Sequence, residues 1–319
     1  MITQRRLQHL LALAEHGHFG RAAQALDISQ PALTKSIQAL EVELGVTLID
    51  RGHGKFQPTV FGELVIQRGK RWLAEEEDLR REVDLLAGLE VGSIRVALGP
   101  YPSVTSGFVS LTRLLARHPA MHITARVANW REIGVQVLAR TVDLGLAELS
   151  GLEEEAQFAT ERVAQHRGRF FCRPNHPLLA GAPVSMPQLL AYPWVTARMP
   201  ARIARALPQP LGAAGSIDPL TGDFVPAIEV DVLLRLGDFV SGSNALTIAS
   251  LEIMEPDLRA SRVVVVPLAG PPLWSRYGFI SLKNRSLAPA ARAFMDEVRT
   301  AESEFARRDA ALAAEFGLD

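Results

Sequence analysis

Apolar residues first recur at helical spacing at Leu7, Leu10, Leu11 and Ala14, and Gly17 closes that run, which predicts a first short helix. A second helix is predicted over residues 19–26, with Ala22, Ala23 and Leu26 inward, followed by a tight turn at Asp27, Ile28 and Ser29. The third helix begins with Ser29 as N-cap and Pro31 in the first turn, where its missing N–H costs no hydrogen bond. Its two faces differ. Leu33, Ile37, Leu40 and Leu44 form one apolar stripe, whereas Gln30, Thr34, Lys35, Gln38 and Glu41 point the other way. Beyond Gly45, residues 46–49 and 55–57 read as short strands around Gly52, His53 and Gly54, a hairpin turn.

Thr59 caps a longer predicted helix reaching about Leu89. Val65, Trp72, Leu79 and Leu86 recur by sevens along it, joined by Val83, which is the seam of a helix that pairs with another helix. Residues 75–82 supply its charged, solvated remainder. From residue 92 the pattern changes to alternating strands and helices: strands at 93–98, 123–127 and 144–147 interleave with helices at 108–117 and 133–140. Further strands are expected at 169–172, 194–196, 247–249, 263–268 and 278–282, with a helix over 225–236 and a final helix from Pro289 into an Ala-rich tail. That rhythm predicts a parallel sheet covered by helices.

Composition narrows the function classes. The 319 residues are 48% hydrophobic and 22% charged, enough to bury more than one core and too apolar for disorder. No apolar run approaches the roughly 18 residues of a membrane span, and Glu15 and His16 cut short the N-terminal run that a signal peptide needs. The single Cys172 excludes an intrachain disulfide and a Cys-rich zinc site, and fits a reducing compartment. A cytoplasmic protein is expected. Net charge is −1, and only +1 through residue 60, so any nucleic-acid contact must be local. Nucleophile-elbow, zinc-helix, phosphate-loop and dinucleotide signatures do not occur. The expectation is therefore no catalytic residue, no metal and no cofactor, with Cys172 an inert buried thiol.

A helix, a turn, a second helix with a polar outer face and a hairpin describe a winged helix-turn-helix, whose recognition helix enters the major groove. Gln30, Thr34, Lys35 and Gln38 are donors or acceptors of the kind that read base edges, with Lys35 also suited to a phosphate; Arg51 and Lys55 on the wing are placed for backbone phosphates. The same polar face also suits the solvated side of an ordinary three-helix domain. The run from Phe19 through Ala22, Ala23 and Leu26, then Ser29, Gln30, Pro31, Ala32, Leu33 and Thr34 to Leu40, followed by Glu43, Leu44, Gly45, Leu48, Asp50, Arg51, Pro58, Thr59 and Gly62, resembles the LysR-type transcriptional regulators. The motif departs from the family at His18, Phe19 and Gly20, where a Ser-Phe-Ser/Thr start is common, and at Ile49 and Pro58 around the wing.

The resemblance implies an α/β protein: an N-terminal winged helix-turn-helix over 1–58, a dimerising linker helix over 59–91, and a two-subdomain effector domain over 92–300 like a periplasmic solute-binding protein. Subdomain I would hold 92–164 and 268–300, subdomain II 165–267, and 301–319 a helical tail with an apolar stripe at Phe305, Leu312 and Phe316. It implies double-stranded DNA, a small-molecule effector, a homodimer and commonly a homotetramer as partners, with RNA polymerase also in reach at a promoter.

Ligands of open α/β sheets sit beyond the carboxyl ends of strands, which nominates Pro100, Tyr101, Ser103 and Thr105, then Asn129 and Trp130, then Glu148, then Thr196 and Arg198, and the turn holding Ser241 and Asn244. Each has a structural alternative. Trp130 suits core, Ser103 and Thr105 suit helix caps, Glu148 suits a bridge between subdomains, and Arg198 with Arg202 suits either a carboxylate clamp or a basic helix surface. The competing functional reading is an α/β enzyme or cytoplasmic solute receptor whose N-terminal segment only dimerises.

Overall fold

A computed structural model of the chain describes residues 3–50, 56–86, 92–181 and 183–318. They fall into two compact units, Met1–Glu90 with Ala139–Thr141, and Val91–Leu138 with Val142–Asp319.

The first unit starts with α1 (Gln4–His16), α2 (Phe19–Ala25) and α3 (Gln30–Leu44). Leu10 and Leu13 of α1, Ala22 and Ala23 of α2, and Leu33, Ile37 and Leu40 of α3 meet in one buried core. His18 takes the cap role of the family's usual Ser: its Nδ1 accepts from the Gly20 N–H at 3.0 Å. Ser29 Oγ likewise accepts from the Ala32 N–H. Gly45 ends α3 at φ 70°, a left-handed conformation that suits glycine. The hairpin is shorter and later than expected, β1 (Ile49–Asp50) against β2 (Gln57–Pro58), with residues 46–48 outside it. Glu41 explains the shift and corrects its expected place on the displayed face. Its Oε1 accepts from the N–H groups of Leu48 and Ile49, at 2.9 and 3.2 Å, which fixes the backbone where the strand begins.

Thr59 Oγ1 accepts from the Gly62 N–H and caps α4 (Val60–Leu86). A Cβ on Gly62 would run into the Leu48 carbonyl, so glycine is required where α4 passes the wing.

The second unit opens with β3 (Ser93–Leu98), the three-residue turn α5 (Pro100–Pro102), α6 (Phe108–Arg117), β4 (His122–Val127), α7 (Trp130–Leu138) and β5 (Leu144–Glu148). β3 pairs with β4 and β5 in parallel, as strands joined by crossover helices do. Next comes β6 (Phe158–Cys172), fifteen residues where only the last four were expected. After α8 (Met186–Leu190), β7 (Val195–Thr196), α9 (Ala201–Ala206), β8 (Gly215–Ile217), β9 (Phe224–Pro226), β10 (Ile228–Glu229), α10 (Leu236–Ser241), β11 (Thr247–Ala249), α11 (Leu251–Arg259) and β12 (Val264–Val265), the chain returns through β13 (Leu273–Leu282). It ends in α12 (Pro289–Phe316).

Two expectations are overturned. There is no helix over 225–236: Pro226 lacks an N–H and disfavours helical backbone at Val225, and the segment instead supplies β9, paired with β8, and β10, paired with β7. Nor is the sheet all parallel. β13 runs antiparallel to both β5 and β6, giving the order β11-β6-β13-β5-β3-β4 with β12 also on β6. Alternation along a chain reports only local crossovers, whereas β6 and β13 are long strands that cross between two lobes side by side. The first lobe has cores under α12 and α7, built from Val96, Leu146, Phe279, Phe294 and from Ile133, Leu152, Ile280. The second has cores around Trp194 and Leu236. The expected change of subdomain at 164/165 thus falls inside a strand. The helical tail expected over 301–319 continues the final helix. α12 runs unbroken for 28 residues, with Phe305 and Leu312 buried.

Candidate functional sites

On α3 the side chains of Ser29, Gln30, Pro31, Lys35 and Gln38 are exposed and Thr34 is half-buried, while Leu33, Ile37 and Leu40 face the core. Thr34 donates its hydroxyl hydrogen to the Gln30 carbonyl, so outward it offers acceptor lone pairs only. One amphipathic rod therefore displays amide and ammonium groups over about two turns. Arg51 and Lys55 lie outside the described residues.

The heptad series on α4 divides. Val65 is half-buried and packs on the core of the first unit. Trp72, Leu79 and Val83 stay 47, 62 and 54% exposed, a ladder of apolar side chains lacking cover in the monomer. The Leu86 side chain lies outside the described residues.

In the second unit a cavity of about 140 Å³ opens between the two lobes. The ends of β3, β4 and β5 bring Pro100, Tyr101, Asn129, Trp130 and Glu148 to it from one lobe, and Thr196 and Arg198 come from the other. Trp130 does both of the things considered for it: it is 4% exposed within the α7 core and also lines the cavity. Asn129 Oδ1 accepts from the N–H groups of Arg131 and Glu132, capping α7.

Four expected residues are not on the lining, and hydrogen bonds explain each. Ser103 Oγ donates to the Pro100 carbonyl at 2.7 Å, and Thr105 Oγ1 lies 3.0 Å from the Tyr277 hydroxyl behind the wall. Ser241 Oγ accepts from Arg262, and Asn244 Oδ1 accepts twice from Arg173, both away from the cavity.

Other lining residues carried no sequence signal strong enough to nominate them: His166 from β6, Trp274, Ser275 and Tyr277 from β13, and Met199 and Ile203 near α9. They arrive on the crossing strands that the local pattern did not reveal. Behind the wall, His166 Nε2 lies within 3.1 Å of the Tyr277 hydroxyl, which donates to Glu302 of α12. Burial and the Glu302 carboxylate push the Tyr277 hydroxyl well above its ordinary pKa, so it stays protonated as a donor.

Ion pairs join the lobes at the cavity. Arg202 of α9 donates to Glu148 Oε2 at 2.7 Å and to Ser150 Oγ at 3.1 Å, and Arg131 of α7 forms a fork with Asp223, at 2.9 and 3.1 Å. Arg198, named beforehand as half of a possible carboxylate clamp, binds the protein's own Asp218 and Glu229. Glu148 acts as the bridge that was its structural alternative.

Nothing among the described residues groups three or more metal-ligating side chains. Cys172 is buried and its thiol is pushed up to about 11 by burial, which suppresses the reactive thiolate. No helix of the described residues is long and apolar enough to cross a membrane.

Residues 4–63 match the model of bacterial regulatory helix-turn-helix proteins of the lysR family, and residues 87–303 match that of the LysR substrate binding domain. The chain is 36% identical over 293 residues to the SDS degradation transcriptional activation protein of a Pseudomonas strain, covering 91% of this chain and 93% of that one. It is 28% identical to the regulator GbpR of Azospirillum brasilense over 307 residues, 95% and 88% of the two chains. In fold it is similar to full-length CbnR solved in complex with its target DNA, at TM-score 0.62, 20% identity and coverage of 94% and 100%. It is equally similar to a full-length OxyR variant of Pseudomonas aeruginosa, at TM-score 0.62, 18% identity and coverage of 94% and 95%. The sequence relatives are named as transcriptional regulators, which weighs against the enzyme reading.

Proposed function

The chain belongs to the LysR-type transcriptional regulator family, a helix-turn-helix DNA-binding domain joined to an effector-binding domain, and on that premise we propose which residues carry each task. α3 is the recognition helix. Gln30, Thr34 and Gln38 read base edges in the major groove, Lys35 reads a base or holds a phosphate, Ser29 and Pro31 set the helix start against the backbone, and Arg51 and Lys55 grip phosphates from the wing. The observation that carries this reading is the division of α3 into a buried stripe and an exposed face with both amide-bearing and cationic side chains.

The cavity between the lobes holds the effector, with Pro100, Tyr101, Asn129, Trp130, Glu148, Thr196 and Arg198 around it. Binding there changes the angle between lobes, and that change reaches the paired DNA-binding heads. The exposed Trp72, Leu79 and Val83 are the homodimer seam, two dimers make a tetramer, and the assembly works in the cytoplasm beside RNA polymerase at a promoter. The division into 1–58, 59–91, 92–300 and a tail is part of the same proposal.

The test is a footprint on the DNA upstream of the gene. Wild type protects a site, and a variant with Thr34, Lys35 and Gln38 all replaced by alanine does not, while its thermal midpoint stays unchanged. A triple variant that still protects the site removes α3 from the interface.

A further inference from the structure

The lobes of the second unit present an effector with two demands, one of charge and one of shape. Both guanidiniums that line the cavity are already bound by carboxylates of the protein: Arg202 by Glu148, and Arg198 by Asp218 and Glu229. Arg131 beside them is bound by the fully buried Asp223. With Asp231 also on the lining, three guanidiniums face five carboxylates. An anionic head would have to expel Glu148 from Arg202 and leave that carboxylate, 15% exposed, without its guanidinium partner beside a second negative charge. The walls are apolar and aromatic, with Tyr101, Trp130, Met199, Ile203, Leu233 and Leu273 among them. More than one polar atom of the lining residues is left over, Ser275 Oγ among them. The buried indole N–H of Trp130 has no acceptor among the described residues.

We infer that the effector is an uncharged, largely apolar molecule, such as an alcohol, rather than an anion. Its size is on the order of six to ten heavy atoms, since an apolar cavity of about 150 Å³ accepts benzene and this one measures about 140 Å³. The inference rests on the reading that this cavity is the effector site. The effector's body displaces water from the aromatic walls, and the ion pairs joining the lobes stay intact.

The experiment is titration calorimetry on the full chain with matched probes: benzyl alcohol against benzoate, and 1-hexanol against hexanoate and hexyl sulfate. The expected result is saturable binding of the alcohols at least tenfold tighter than of their anionic partners. Met199→Trp, which fills the cavity, abolishes it. Glu148→Gln, which frees Arg202, makes benzoate bind at least tenfold better than it binds wild type. Anions that bind wild type as well as the alcohols do, alcohols that do not bind, or a Glu148→Gln variant with no gain for benzoate would each overturn the inference. Footprints run in parallel separate this from the broader reading. Protection altered only by an anion sinks the neutral effector and leaves the regulator standing, whereas alcohols that bind without altering protection sink the cavity as effector site.

Discussion

The Nε2 atom of His166 stands 2.9 Å from Oε2 of Glu302, and both residues are buried. His166 belongs to the cavity wall and Glu302 to α12, so one carboxylate links the lining to the C-terminal helix. Phe305, one turn on, packs edge-on against the imidazole at 4.7 Å between ring centroids.

Removing that carboxylate leaves the Tyr277 hydroxyl and the imidazole without their common partner. Glu302→Ala should lower unfolding free energy by about 3 kcal/mol, measured by urea denaturation. Glu302→Gln keeps an acceptor for Tyr277 and should cost less. Equal midpoints for Glu302→Ala and wild type would refute the account.

Lys35→Ala should weaken binding to the upstream DNA by roughly 1–3 kcal/mol. Fluorescence anisotropy at two salt concentrations separates its two roles. A phosphate contact lowers the dependence of log affinity on log salt by about 1, and a base contact leaves that dependence alone while relaxing sequence preference. Unchanged affinity at both concentrations would take Lys35 out of the interface.

The split heptad on α4 makes opposite predictions for residues fourteen apart. Leu79→Asp should shift sedimentation toward monomer while helix content measured by circular dichroism holds. Val65→Ala should leave association intact and lower the stability of the first unit by about 1 kcal/mol. If Leu79→Asp associates like wild type, the exposed ladder is not the seam.

Glu252 of α11 is half-buried, and its Oε2 finds no hydrogen-bond partner among the described residues. Burial, then the nearby Asp309, raise its pKa from 4.5 to about 7. Because the folded value is the higher one, the protonated acid favours folding. That contribution is complete below about pH 4.5, declines as pH rises, and is gone above about 7. Glu252→Gln should therefore flatten stability over that interval and stabilise at pH 8 by about 1–2 kcal/mol, after discounting for solvent screening. Thermal melts from pH 5 to 8 check the slope, and parallel curves for variant and wild type would contradict it.

The helical half of the first unit was legible because each signal was local. Gly17 and Gly45 stop helices, Ser29 starts one, and Leu33, Ile37 and Leu40 repeat along a single face. Glu41 was not, since its polar position on the helix says nothing of a backbone seven residues on that needs an acceptor. In the second unit the loops after β3, β4 and β5 located half of the cavity wall, as the rule for strand ends requires. The other half comes from β6 and β13. Thr160, Glu161, Arg162, Gln165 and Arg167 make most of β6 look like surface loop. Ten residues of β13 pair with it nonetheless, a long-range fact that no window of sequence contains.

α12 bonds to both lobes. Glu304 takes Arg113 of α6 on one side, and on the other Asp309 takes Arg169 and the Leu251 N–H, while Glu315 takes Arg259. Twenty-eight residues make a rod of roughly 42 Å. Such a rod works as a splint across a joint. Any change of angle between the lobes has to strain the anchorage at one end of it, so the contacts of Glu304 on one side and of Asp309 and Glu315 on the other set the resistance to that motion.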